Sequence, residues 1–135
     1  MSLCEVPLGN GRRADILALD SRGRISLVEI KISLADLRGD QKWPEYLDYC
    51  DRYFWAVPAA FTLGVFDDPW FQPERAGLIV ADRYDADIVR DAPWHSLPAA
   101  RRKAETLRFA RRAARRVLNA GDPLLAASID QTGWA

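Results

Sequence analysis

Three charged residues, Asp15, Glu29 and Lys31, have the types and spacing of a site for metal-assisted hydrolysis. Glu29 and Lys31 lie two positions apart in the segment VEIKIS, residues 28–33, which is typical of a buried strand. Because strand side chains alternate, these two share one face. Burying one charge is costly, and two are tolerated only if they have partners or a task.

A hairpin would bring a second carboxylate beside Glu29. The strand-like runs ADILAL (14–19) and ISLVEIKI (25–32) are separated by DSRGR, whose Gly23 suits a tight turn. Pairing around this turn places Asp15 and Glu29 at similar heights, about 5 Å apart. Two carboxylates that close repel each other unless a cation lies between them.

A hard divalent ion, Mg²⁺ or Mn²⁺, is the natural cation for such oxygen ligands. Lys31, on the same face as Glu29, could then orient a water or stabilise charge on an attacked phosphate. The alternative is that Asp15, Glu29 and Lys31 are solvated on a half-exposed sheet, since this spacing also arises by chance. The spacing alone does not decide between them.

The remaining elements follow from hydrophobic period and turn residues. Ser33 followed by Asp36 resembles a capping box, and Pro44 suits the first turn of a second helical piece, roughly 44–52. Three further strands, a loop-rich insertion and a long helix ended by Gly121 complete the pattern. The strands are YFWAV (53–57), GLIVAD (77–82) and ADIVRD (86–91), and the helix covers about 99–120. This order predicts an α/β domain with a mixed sheet.

Length and composition indicate one globular domain over residues 1–135, with a core at about 5–92. Apolar residues make up 49% of the chain, and five of its residues are Trp. No apolar run reaches the roughly 20 residues of a membrane span, and no signal-peptide pattern is present. One His and two Cys argue against a zinc site and favour reduced thiols in a cytoplasmic protein.

The zero net charge hides a basic end. Residues 99–135 hold 8 of the 19 basic residues and 3 of the 19 acids. In the long helix, apolar side chains gather on one side and arginines on the other, which predicts either an amphipathic helix with a basic solvent face or a nucleic-acid contact. An RNA or acidic-protein partner would use the same feature. The arginines are Arg101, Arg108, Arg111, Arg112, Arg115 and Arg116.

Motifs along most of the chain resemble a known nuclease superfamily. The pattern E…RRAD…VEIK followed by DQKW looks like the PD-(D/E)XK nucleases. More narrowly, GRRADILAL, KWPEYLDYCDRYFWAV and RRKAETLRFARRAARR look like the bacterial MmcB-type DNA-repair endonucleases, from about residue 5 to 120. The resemblance implies a restriction-endonuclease-like fold, with a mixed central sheet flanked by helices. It also implies DNA repair by a metal-dependent endonuclease.

The resemblance assigns roles to individual residues. It makes Asp15 and Glu29 the Mg²⁺ ligands, Lys31 the motif lysine and Glu5 the upstream acid that supports the metal or its water. It places further residues of the following helix in the same pocket. These are Asp40, Gln41, Lys42 and Trp43, and Trp43 is the aromatic residue best placed to stack on an unpaired base.

Two departures from the family pattern stand out. Ala14 replaces the motif proline, which is a common substitution. Relatives usually carry a helix before the position of Glu5, so its absence would affect substrate contacts.

Two other functions stay open on the sequence alone. One is a nuclease-fold DNA-binding or recruiting module without catalysis. The other is an interaction domain whose charged strand is solvated. A homodimer, which lets many such nucleases cut two strands, is a further open alternative.

Overall fold

A single mixed sheet organises the protein. The computed structural model describes residues 1–132, which contain six strands and three α-helices. The strands are β1 (Ser2–Pro7), β2 (Arg13–Leu19), β3 (Ile25–Ile30), β4 (Arg52–Pro58), β5 (Ala76–Ala81) and β6 (Ala86–Arg90). The helices are α1 (Leu34–Gly39), α2 (Ala99–Gly121) and α3 (Pro123–Thr132), with 3₁₀ helices at Trp43–Tyr49, Leu63–Asp67 and Pro69–Phe71.

The sheet order is β1-β2-β3-β4-β5-β6. Strands β1 to β3 are antiparallel, β3, β4 and β5 are parallel, and β6 returns antiparallel to β5. The predicted α/β class with a mixed sheet and flanking helices is therefore confirmed. None of the helices within residues 1–132 is long and apolar enough to span a membrane.

The β2–β3 hairpin has the predicted turn. The Asp20 side chain accepts hydrogen bonds from the Arg22 and Arg24 backbone N–H groups, each at 2.9 Å. Gly23 has a φ of 76°, a conformation that glycine adopts without steric cost. The register pairs Ile16 with Val28, so position 15 lies opposite position 29.

The sequence prediction missed strand β1, helix α3 and the two 3₁₀ helices of the loop-rich insertion. Strand β1 is short and ends in Pro7, and it becomes a strand by pairing along β2. Helix α3 lies in the tail that showed no clear period. The dipeptide Asp122-Pro123 could have indicated this helix. Asp122 Oδ1 accepts the Leu125 N–H at 3.0 Å, and proline suits a first helical turn.

A cluster of aromatic rings forms the centre of the core. Trp55 on β4 lies 5.0 Å from Trp43 and 5.1 Å from Tyr53, measured between ring centroids. Phe66 and Phe71, from the loop-rich insertion, pack against Trp55 at 5.8 and 5.9 Å. The insertion therefore contributes two buried rings to the core.

Asp51 joins three distant parts of the chain. Its carboxylate accepts hydrogen bonds from the Ile25 N–H at 2.6 Å, the Leu97 N–H at 2.9 Å and the Arg102 guanidinium at 2.6 Å. Burial alone would raise the pKa of Asp51, but the Arg102 hydrogen bond and the two backbone donors lower it overall. This carboxylate sets where α2 begins relative to β3.

Helix α2 packs through a different side from the one its apolar pattern suggests. Glu105 and Phe109 are buried, whereas Leu107 and Val117 are 54% and 73% exposed. The second half of α2 passes the edge strand β1, where the Arg116 guanidinium donates to the Cys4 carbonyl. The apolar side of α2 is therefore exposed at these positions, and the basic side is not the only one in solvent.

We expect Asp51→Asn to lower the free energy of unfolding by roughly 3 kcal/mol, because it breaks a buried ion pair. Urea unfolding at neutral pH measures the loss. The matched control is Asp91→Asn, which removes an exposed partner 3.4 Å from Arg52 and should cost less than about 1 kcal/mol. Equal losses in both variants would show that Asp51 does not hold α2.

Candidate active site

Glu29 and Lys31 lie on the side of β3 that faces the core. The strand alternates so that Ile25, Leu27 and Glu29 are buried while the intervening residues are more exposed. Glu29 is 3% exposed and Lys31, one residue beyond the strand, is 7% exposed. The alternative of charges solvated on a half-exposed strand is therefore wrong for this pair.

Asp15 and Glu29 are joined across the β2–β3 hairpin. Glu29 Oε1 accepts a hydrogen bond from the Asp15 backbone N–H at 3.1 Å. Asp15 Oδ2 accepts one from the Ile30 backbone N–H at 2.8 Å. Each carboxylate keeps its second oxygen free of hydrogen bonds from residues 1–132. Two oxygens in one site are thus available to a cation.

Lys31 forms an ion pair with Asp40, the C-cap residue of α1. Lys31 Nζ donates to Asp40 Oδ2 at 2.8 Å, and Asp36 Oδ1 lies 4.0 Å away. Burial alone would lower the pKa of Lys31, but the hydrogen bond and the charge of Asp40 raise it overall. Lys31 therefore keeps its positive charge inside the protein.

The environment of Glu29 favours the protonated form of its carboxyl group. Burial raises the pKa of Glu29 to about 8, and the nearby charge of Asp15 adds to the rise. The Asp15 N–H and the Lys31 charge oppose this shift without cancelling it. A carboxyl group with a strongly raised pKa beside a second carboxylate is typical of a functional site.

An aromatic wall encloses the buried side of the site. The Tyr46 hydroxyl donates to the Arg13 carbonyl at 3.1 Å. Trp43, Tyr53 and Trp55 bury their polar atoms, which have no hydrogen-bond partner within residues 1–132. Trp43 is fully buried, so the prediction that it stacks on an unpaired base is wrong.

Glu5 lies beside the site on β1 and outside its hydrogen-bond network. Cys4 and Val6 pair with Ile16 and Ala14, which places Glu5 across from Asp15. Its exposed side chain lies 3.8 Å from the Arg13 guanidinium. Within residues 1–132, no group of three acidic, His or Cys side chains is placed to hold a metal ion. The carboxylates brought together are therefore those of Asp15 and Glu29.

Two other predicted pocket residues point away from the site. Gln41 Nε2 donates to the Arg38 carbonyl at 2.7 Å, and Lys42 is exposed just before the 3₁₀ helix at Trp43–Tyr49. Asp40 is the member of the predicted set that joins Lys31. The sequence pattern did not predict that Asp36 and Tyr46 lie near the site, although it identified Asp36 as part of a helix cap.

The six predicted arginines divide into two groups. Arg101 donates to the Asp48 carbonyl at 3.2 Å, and Arg116 bonds the edge of β1. The other four line an open cleft of about 700 Å³ between α2, α3 and Pro7, named here the arginine cleft. They are Arg108, Arg111, Arg112 and Arg115.

Comparison with known proteins points to a family and to a solved structure. A family model described as DNA repair protein MmcB-like matches residues 1–124. A protein of unknown function from Silicibacter pomeroyi is 43% identical, with a TM-score of 0.79, and the match covers 91% of this chain and 80% of that chain. No curated protein matches the chain.

The raised pKa of Glu29 predicts a pH-dependent stability. The folded protein keeps this proton up to about pH 8, whereas the unfolded chain loses it near pH 4.5. The free energy of unfolding should therefore fall as pH rises through this window, by roughly 1 kcal/mol per pH unit. Urea unfolding in EDTA at pH 5, 7 and 9 measures the slope. Glu29→Gln should remove the contribution of Glu29 to the slope. Identical slopes in the variant and the wild type would contradict the raised pKa of Glu29.

Glu5 has a φ of 53°, in the left-handed region that side chains with a Cβ disfavour. We expect Glu5→Gly to be more stable than Glu5→Ala by about 1 kcal/mol, because glycine relieves this strain. Urea unfolding measures the free energy of unfolding of each variant. Both variants lack the Glu5 carboxylate, so its loss does not contribute to the difference between them. If Glu5→Ala is at least as stable, the backbone at position 5 is unstrained in solution.

Proposed function

The chain belongs to the MmcB-like family of DNA repair proteins, and from that premise we propose that it is a metal-dependent endonuclease hydrolysing phosphodiester bonds in DNA. The observation that carries the proposal is the buried Glu29 carboxyl group beside Asp15 and Lys31. An acidic pair with a neighbouring lysine at the end of a hairpin agrees with the resemblance to PD-(D/E)XK nucleases. The two oxygens of the pair that accept no hydrogen bond within residues 1–132 are open to a cation.

Asp15 and Glu29 would hold one Mg²⁺ or Mn²⁺ ion. The donor set fits because Mg²⁺ is usually bound by one or two carboxylates, with waters and substrate phosphates completing its shell. A third protein carboxylate is not required. When bound, the ion would supply a Lewis acid and a water of lowered pKa. Glu5 would support the site from the neighbouring strand.

Lys31 would act as a fixed positive charge. Its raised pKa keeps the ammonium protonated at neutral pH, so it is suited to stabilise charge on the attacked phosphate and unsuited to remove a proton. Asp40 acts through Lys31, because its carboxylate holds the ammonium at 2.8 Å. Asp40 is therefore a positioning residue.

The arginines of α2 would contact the DNA backbone. Guanidinium groups make bidentate contacts with phosphate oxygens, and a run with Glu105 as its one acid between residues 101 and 116 is strongly basic. Arg101 and Arg116 already bond the protein, so the four arginines of the arginine cleft are the main candidates.

A DNA-binding or recruiting module without catalysis is the second candidate. One observation favours it: the arginine cleft offers a contact for DNA that does not involve Asp15 or Glu29. In that case DNA would bind without being cut.

We expect metal-dependent cleavage of DNA that Lys31→Ala reduces by about 10²- to 10³-fold, the usual effect of removing one stabilising charge. Labelled single-stranded, flapped and branched DNAs would be incubated with Mg²⁺, Mn²⁺ or EDTA. The matched control is Arg22→Gln, an exposed charge in the turn at the opposite end of the hairpin.

Cleavage by wild type and Arg22→Gln, lost with EDTA and in Lys31→Ala, would support a nuclease. DNA binding without cleavage in every condition would favour the recruiting module. Equal cleavage by wild type and Lys31→Ala would remove Lys31 from the mechanism.

A further inference from the structure

The arginine cleft has more positive charge than its surroundings offset. Its acidic lining residue is Asp130, which pairs with Arg115 at 2.6 Å. Arg108 lies 3.6 Å from the buried Glu105 carboxyl group behind it. Arg111 and Arg112 have no ion pair within residues 1–132. The cleft therefore presents unpaired guanidinium groups to an incoming anion.

Arg112 has one guanidinium nitrogen without a partner in the described part of the protein. Its Nε atom is buried and has no hydrogen-bond partner within residues 1–132. A buried donor on a charged group is costly unless an acceptor reaches it. The cleft volume of about 700 Å³ also lies within the range of about 300–1,000 Å³ found for small-molecule sites.

The charge of the cleft favours the end of a strand over the middle of one. A terminal phosphate carries about −1.5 to −2 charges at pH 7 and three acceptor oxygens. An internal phosphodiester carries one charge and two unbridged oxygens, so it offers the arginines less charge and fewer acceptors. Several converging arginines match the more highly charged group.

The cleft also lies close to the candidate active site. Pro7, on its wall, pairs with Arg13 on β2, two residues before Asp15. From the strand rise and spacing, the Pro7 backbone lies about 8 Å from that of Asp15. A DNA strand that occupied both sites would therefore need only a few nucleotides between its end in the cleft and the bond at Asp15 and Glu29.

We propose that the arginine cleft binds the terminal phosphate of a DNA strand, so that the protein acts on DNA with phosphorylated ends. The proposal rests on the proposed function, because that function makes DNA the molecule that carries the phosphate. Either a 5′- or a 3′-phosphate supplies the required chemistry. Arg111 and Arg112 would make the principal contacts, and Arg108 and Arg115 would supply charge at the sides.

The test measures binding in EDTA, where cleavage plays no part. Single-stranded oligonucleotides with one internal fluorophore would carry a 5′-phosphate, a 3′-phosphate or hydroxyl groups at both ends, and anisotropy gives each Kd. One phosphorylated oligonucleotide should bind roughly tenfold more tightly than the hydroxyl form, as expected for charge-assisted hydrogen bonds. Inorganic phosphate should reduce this preference.

Arg111→Gln and Arg112→Gln should each weaken the preference, while Arg83→Gln, an exposed charge in the β5–β6 turn, should retain it. Arg111 is exposed, so its variant tests the site even if Arg112→Gln unfolds. Equal Kd values for the three oligonucleotides, or a preference that survives in both Arg111→Gln and Arg112→Gln, would overturn the proposal. So would a polyglutamate peptide that competes as well as the phosphorylated strand, since it would indicate an acidic protein partner.

The two proposals fail in different ways. Cleavage that persists without any end preference would overturn the cleft proposal alone. An end preference in EDTA without cleavage under any metal would overturn the nuclease and leave the cleft as a binding site.

Discussion

The cost of burying Glu29 and Lys31 at the end of the core side of β3 governs the architecture around them. Two ionisable groups enter the interior only if neighbouring groups satisfy them. The Asp15 N–H bonds Glu29, and Asp40 bonds Lys31, so β2 must begin and α1 must end close to the end of β3. The raised pKa of Glu29 shows that this compensation is incomplete. The remaining deficit is what a cation would remove.

Asp51 performs a comparable task at the other end of β3, with a different outcome. Its carboxylate is fully satisfied by two backbone N–H groups and Arg102, and its pKa is lowered. The contrast is that both Asp51 oxygens accept hydrogen bonds, whereas Glu29 keeps one oxygen without a hydrogen bond from residues 1–132. By fixing the start of α2, Asp51 also determines where the arginines of its second half lie.

Helix α2 shows why a helical pattern does not decide which side is buried. The apolar period pointed to Leu107 and Val117, yet Glu105 and Phe109 face the core. Phe109 packs beside the sheet, and the Glu105 carboxylate accepts the Gly9 N–H at 3.2 Å. These two contacts decide which side of α2 is buried, although the other side has more apolar residues. Because the helix continues past the edge of the sheet, its later apolar residues have no surface of the sheet to cover. The pairing of α2 with α3 then turns four arginines into the sides of a cleft.

Local patterns in the amino-acid sequence are enough to predict the features that depend on near neighbours. Alternation along a strand and the Gly23 turn were enough to place Asp15 level with Glu29, and Ser33 marked the start of α1, where its hydroxyl accepts the Asp36 N–H at 3.1 Å. The tertiary structure decided which side of β3 faces the core, that Asp40 rather than Gln41 or Lys42 reaches the site, and that the arginines line a cleft. These outcomes depend on packing between segments far apart in the chain, and strand or helix periodicity carries no information about which partner covers a given face.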